Sequence, residues 1–179
     1  RQTVAALAQC VEPERIEVIA EYSIQSERLE DYLDANAIAA LSFGNDDIED
    51  IYPLSPTQEG MLFHSLESPG SGLYVNQISV AVDGLDVERL IKAWRQMIVR
   101  QPILRTGFLW RAGLARPLQV VFKHVDSQVV QFDWRRKEHL DSQIIAYADE
   151  ELRYEFNFED PPIRLSLIRV AENRHQLIW

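Results

Sequence analysis

Ser55-Pro56-Thr57-Gln58-Glu59-Gly60-Met61-Leu62-Phe63-His64 is the stretch from which the fold can be read. Ser55 is a residue type that caps helices, and Pro56 suits the first helical position. Gln58 stands three residues after the cap, so the run predicts a capping box with a proline at its start. The helix should run to about Leu66 and halt at Ser68-Pro69-Gly70-Ser71-Gly72. Before it, Ile48 to Leu54 reads as a short apolar strand. After it, Tyr74, Asn76, Ile78, Val80 and Val82 alternate with Val75, Gln77, Ser79 and Ala81, which predicts a second strand, and Asp83-Gly84 turns the chain.

Outward from there the pattern continues. Asp86 is placed to cap a helix whose Val87, Leu90, Ile91, Trp94 and Ile98 share one face, with Pro102 ending it. Leu104 to Trp110 and Pro117 to Lys123 read as a hairpin around Ala112-Gly113-Leu114. A helix from about Glu138 to Tyr154 turns Leu140, Ile144, Tyr147 and Leu152 inward. Two strands close the chain, Ile163 to Val170 and His175 to Trp179. Mixed order of this kind predicts an α/β sandwich, its sheet mostly antiparallel and its helices on one face.

Residues 1–47 read differently. Ile16, Ile19, Ala20 and Ser23, then Leu29, Tyr32 and Leu33, fall at helical spacing, Pro13 suits a first turn, and Gly44 reads as a helix stop. We place a boundary near residue 47, with an acidic helical linker or docking segment over 1–47 and the main domain over 48–179. Of the net charge of −10, residues 1–50 carry −9, from three arginines against twelve carboxylates. Such asymmetry marks a solvated segment, and the acidic run from Glu27 to Asp34 reads as a solvated helix face. Nothing resembles the basic stripe of a nucleic-acid binder.

No run of about 18 apolar residues predicts a membrane span, and the N-terminus does not read as a signal peptide. A lone Cys10 fits a reducing cytoplasm. One cysteine and four dispersed histidines, His64, His124, His139 and His175, lack metal-ligand spacing.

Two blocks carry a resemblance. The first is Tyr52 to His64; the second is Arg100-Gln101-Pro102-Ile103-Leu104-Arg105-Thr106-Gly107-Phe108. With a softer third, Phe156-Asn157-Phe158-Glu159-Asp160-Pro161-Pro162-Ile163-Arg164-Leu165, they stand in order over residues 48–179. In these blocks the chain resembles the condensation domains of nonribosomal peptide synthetases, which share the chloramphenicol-acetyltransferase-like fold. In the second block Gln101 and Pro102 replace the family's His and Glu, while Leu104-Arg105-Thr106 and Phe108 keep its pattern.

The resemblance implies an N-terminal lobe, with a C-terminal lobe of the same domain as its missing partner. It implies amide formation between two thioester-bound substrates, each delivered on the phosphopantetheine arm of an upstream or downstream peptidyl carrier protein, with no cofactor bound directly. The family's His-His-x-x-x-Asp-Gly signature should follow a strand like His175 to Trp179. It does not occur among these residues, so no catalytic residue is assigned in this chain and the chain alone is expected to be inactive. The wording of the first block is most like the subtypes that follow an epimerization step.

Arg105 is read as flanked by apolar strand residues, where an unpaired guanidinium would be costly and a bidentate carboxylate is wanted. The resemblance implies the absent motif's Asp as that partner, and Arg105 with Thr106 as active-site support. The alternative is a surface arginine lying along the sheet. Ser55, Gln58, Glu59 and Met61 are candidates to face the substrate tunnel, beside their plain role in a capped, packed helix. His64 reads as a surface or core-edge residue, Trp94 and Tyr147 as core, and His175 as a strand residue near the absent loop. A related acyltransferase, an epimerization domain and a carrier-docking module stay open as other readings. A lobe without its partner should expose apolar surface and self-associate.

Overall fold

The structure, a computed structural model, describes residues 28–111, 114–126 and 129–179. The helical reading of Pro13 to Ser23 and the hairpin centre Ala112-Gly113 lie outside the described residues. Four α-helices, α1 (Ala35–Ala39), α2 (Pro56–Glu67), α3 (Val87–Arg100) and α4 (Leu140–Leu152), alternate with seven strands among these residues. The strands are β1 (Ile48–Pro53), β2 (Ser79–Asp83), β3 (Thr106–Leu109), β4 (Leu118–Phe122), β5 (Val129–Asp133), β6 (Leu165–Ala171) and β7 (Arg174–Ile178).

They form two sheets rather than one. The first, in the order β1-β4-β3, is antiparallel. The second, in the order β2-β7-β6-β5, is antiparallel except where β5 runs parallel to β6. The α/β class and the mostly antiparallel pairing stand as read from sequence. One detail of the class differs: helices cover both faces of the second sheet. On one face Trp94 and Ile98 of α3 pack on Leu165 and Leu177. On the other, Leu140, Ile144 and Tyr147 of α4 pack on Ile168, Ile178 and Trp134. A strand covered on both sides loses its apolar–polar alternation. Leu165, Ser166, Leu167 and Ile168 are accordingly buried in succession, and the one polar member, Ser166, shares a 2.8 Å hydrogen bond with the Tyr147 hydroxyl.

Helix α2 follows its sequence signals closely. Ser55 N donates to Gln58 Oε1 at 2.9 Å and Gln58 N donates to Ser55 Oγ at 3.4 Å, with Pro56 in the first turn. Helix α3 is capped by Asp86, which accepts from Arg89 N. Leu29 and Leu33, from the acidic segment, are buried against Ile48, Ile51 and Leu118 of the first sheet. Gly44 is no helix stop: at φ −123° it precedes a 3₁₀ turn over Asn45–Asp47, and Asp47 accepts from its N–H.

Two strand readings need correction. The strand predicted from Tyr74 begins only at Ser79, because Gly70, Gly72 and Tyr74 all take positive φ and wind the chain into a loop. That loop is held tightly: a Cβ on Gly72 would sit 2.9 Å from the Leu152 carbonyl oxygen. Strand β5, Val129–Asp133, has no counterpart in the sequence reading. Its five residues are too few for a pattern to declare, and it owes its conformation to pairing with β6.

Candidate functional site

A cleft of about 560 Å³ opens at one end of the second sheet, where β7 finishes and β6 begins. One wall is α2, through Gln58, Met61, Leu62 and Ser65. A second is the loop Leu73–Gln77, and a third is the run Phe156 to Arg164. Ile103, Leu104, Thr106 and Phe108 bring the second block to the same space, and Ile178 and Trp179 lie at its edge. All three sequence blocks therefore meet around one concavity, although they are far apart in the chain. Concave, largely apolar sites with a few convergent polar groups are the usual form of a small-molecule or cofactor site.

The sequence candidates divide at this cleft. Gln58, Met61 and Thr106 line it; Ser55, Glu59 and Arg105 do not. Ser55 is spent on the cap. Gln58 is held at both ends, its Oε1 accepting from Ser55 N and its Nε2 donating to Gln119 Oε1 at 3.4 Å. Thr106 is buried, and its hydroxyl donates to the Pro102 carbonyl at 2.9 Å.

Arg105 is buried, but not in a strand. It ends the 3₁₀ turn Pro102–Arg105 that links α3 to β3. Its Nε donates to the Ile98 carbonyl at 3.0 Å, and Nη1 donates to the Phe122 carbonyl and to Glu49 Oε2, the latter at 2.7 Å. One guanidinium thus fastens the end of α3 to β4 and β1. The carboxylate partner within this chain is Glu49, reached through a single nitrogen. The surface reading does not describe it, since the side chain is buried.

The cleft's far wall is braced by bidentate arginines. Arg164 donates to both Glu151 oxygens at 2.9 Å and its guanidinium lies 3.8 Å over the Tyr154 ring. The Glu151 hydrogen bonds push the Arg164 pKa up. Arg111 holds Glu159 in the same way, at 2.8 and 2.7 Å. Trp179 is seated edge-on against Trp94, ring centroids 5.6 Å apart. Neither Glu151 nor the Leu73–Gln77 wall was signalled in the sequence, since neither belongs to a block.

The histidines sit as read. His64 is exposed and lies 3.8 Å from Glu67. His175 is buried in β7 with no hydrogen-bond partner for Nδ1, and burial, then the neighbouring Arg169 charge, lowers its pKa. Trp94 is buried and Tyr147 is packed among Phe132 and Trp134. No group of three or more metal-ligating side chains occurs among the described residues, and no helix among them is long and apolar enough to cross a membrane.

The sequence profile of the Condensation domain family matches residues 48–179, most of the chain. The chain belongs to the condensation-domain family. Among relatives, it is 37% identical over 150 residues to a linear gramicidin synthase of Brevibacillus parabrevis, an alignment covering 82% of this chain and 2% of that protein. It is 33% identical over 145 residues to gramicidin S synthase 2 of Brevibacillus brevis, covering 77% and 3%. The condensation-domain chain therefore spans a small part of each relative's length. Its fold is that of solved condensation-domain proteins. A four-domain nonribosomal peptide synthetase bound to AMP and glycine matches with a TM-score of 0.64 at 16% identity, over 74% of this chain and 10% of that one. The starter condensation domain of rhizomide synthetase matches at 0.63 and 17%, over 73% and 33%.

Proposed function

We propose that this condensation-domain segment is one wall of a site that joins a carrier-bound acyl or peptidyl thioester to the amine of a carrier-bound aminoacyl group. In that reaction the carbon–nitrogen bond forms, the carbon–sulfur bond breaks, and the amine proton passes in net to the departing thiolate. The observation that carries the reading is the convergence of all three sequence blocks on one apolar cleft. The phosphopantetheine arms are substrate carriers here. An open cleft with apolar walls and the Gln58, Asn76 and Gln77 carboxamides along it suits a long, amide-containing arm.

The segment's own contribution is positioning. Aminolysis of a thioester gains most from holding the amine against the carbonyl, and a rigid wall supplies part of that. Arg105 supports the wall without touching it: by fixing the end of α3 to β4 and β1 it sets where Ile103, Leu104 and Thr106 stand. A histidine to relay the amine proton is not offered to the cleft by these residues, since none of the four lines it.

The test is a chimera. Residues 48–179 replace the matching stretch of a condensation domain in gramicidin S synthase 2, and loaded carrier domains are supplied. Condensed product by mass spectrometry is expected from the chimera and not from the 179-residue chain alone. A folded chimera without product would count against the reading.

A further inference from the structure

The outer face of α3 is basic in a chain whose net charge is −10. Trp94 and Ile98 take the inner face of this helix into the core. Arg89, Lys92, Arg95 and Arg100 are exposed on the outside, and Glu88 is the one carboxylate the helix itself contributes. Arg89 is held by Asp86 at 2.9 Å. Lys92, Arg95 and Arg100 have no carboxylate partner among the described residues, whereas Arg105, Arg111, Arg135 and Arg164 each have at least one; Arg116, Lys123, Arg136, Lys137 and Arg153 also lack one, but only α3 places three such cations on a single helix.

Beside these cations stand Val99 and Ile103, each 68% exposed, the most exposed large apolar side chains among the described residues. Ile103 also lines the cleft. Ile103, three residues beyond Arg100 in the chain, thus links the end of this helix to the lining of the cleft.

We propose that Lys92, Arg95, Val99, Arg100 and Ile103 form the surface on which an acidic carrier domain docks to deliver its thioester arm. The proposal rests on the carrier-dependent reading above. Charge complementarity argues for this face: its unpaired cations attract an acidic partner in a chain that is otherwise net acidic. Arginine is suited to the phosphodiester at the root of such an arm. The Val99–Ile103 pair supplies the apolar centre that a polar rim requires. The patch is small, which suits a partner that must leave after each turnover.

The experiment titrates the 179-residue chain with an acidic, phosphopantetheinylated peptidyl carrier domain, by calorimetry at low and high salt, with a heparin oligosaccharide as a second probe. Carrier affinity should fall with salt, drop by about tenfold in Lys92→Glu/Arg95→Glu, and weaken in Ile103→Ser. Arg136→Glu, an exposed cation just beyond β5, should bind as wild type. Wild-type carrier binding that survives both α3 variants would overturn the docking surface while leaving carrier dependence intact. No carrier binding by the wild-type chain would overturn both. Equal dependence on Lys92 and Arg95 for heparin and carrier, with Ile103→Ser unaffected, would reduce the face to a generic polyanion patch and overturn the assignment.

Discussion

Arg105 and Glu49 are 56 residues apart in sequence and 2.7 Å apart in space, with the guanidinium buried and the carboxylate half-exposed. The asymmetry decides which partner matters more. Truncating the arginine strands two backbone carbonyls, those of Ile98 and Phe122, as well as the carboxylate. Arg105→Ala should destabilise the chain by about 3 kcal/mol. Glu49→Gln, whose side chain still reaches water, should lose no more than about 1 kcal/mol. Urea denaturation of both variants checks the order; equal losses would mean that the carbonyl contacts contribute little.

Gly107 sits where no side chain fits. A Cβ there would lie 2.4 Å from the Glu159 carbonyl oxygen, a backbone atom that cannot swing aside. Gly107→Ala should lower stability by about 2 kcal/mol through forced separation of β3 from the Phe158–Glu159 segment. Phe108 and Phe158 line the cleft, so the same shift should alter its shape. An unchanged denaturation midpoint would show that the two segments separate freely.

The cap of α2 is reciprocal, and its two halves differ in length, 2.9 Å into Gln58 Oε1 and 3.4 Å into Ser55 Oγ. Ser55→Ala should cost about 1 kcal/mol, and Gln58→Leu at least as much, since Gln58 also anchors to Gln119. Thermal melts of the two single variants and the double variant would test this. Additive losses would contradict a shared box, in which removing either half weakens the other.

His175 makes stability depend on pH. Its folded pKa lies below the ordinary value of 6.5, so the unfolded chain binds the proton more readily. Stability therefore rises with pH through this window, is fully present above 6.5, and is lost as pH falls toward the folded pKa. Denaturation midpoints measured from about pH 8 down to about pH 5 should decline, and His175→Leu should flatten that decline. A slope that persists in the variant would assign the effect elsewhere.

Phe63, Leu66, Tyr74, Ile103 and Trp179 are exposed apolar side chains near the cleft or on α2. The isolated chain should self-associate with rising concentration, and Phe63→Ser/Leu66→Ser should reduce it. Light scattering across a concentration series measures both. A wild-type chain that stays monomeric throughout would refute the expectation.

Where local chemistry is complete, the sequence was enough. The Ser55–Gln58 box and the Asp86 cap are closed within a single helical turn, so their donors and acceptors could be paired on paper. The apolar stripe of α3 likewise announced Trp94 and Ile98 as core. Where an element is stabilised by a distant strand, local pattern was silent or misleading. Strand β5 is set by β6, and the alternation from Tyr74 is overridden by positive φ angles in a loop pinned to the end of α4.

The amino-acid order by itself determined the class of fold, the family blocks and the capped helices, because those depend on contacts a few residues long. Only the tertiary structure decided that Arg105 pairs with Glu49, that helices cover both faces of the second sheet, and that the blocks enclose one cleft. The physical reason is range: a guanidinium's need for a carboxylate is written in one residue, while the carboxylate that meets it is chosen by how β1, β4 and α3 pack.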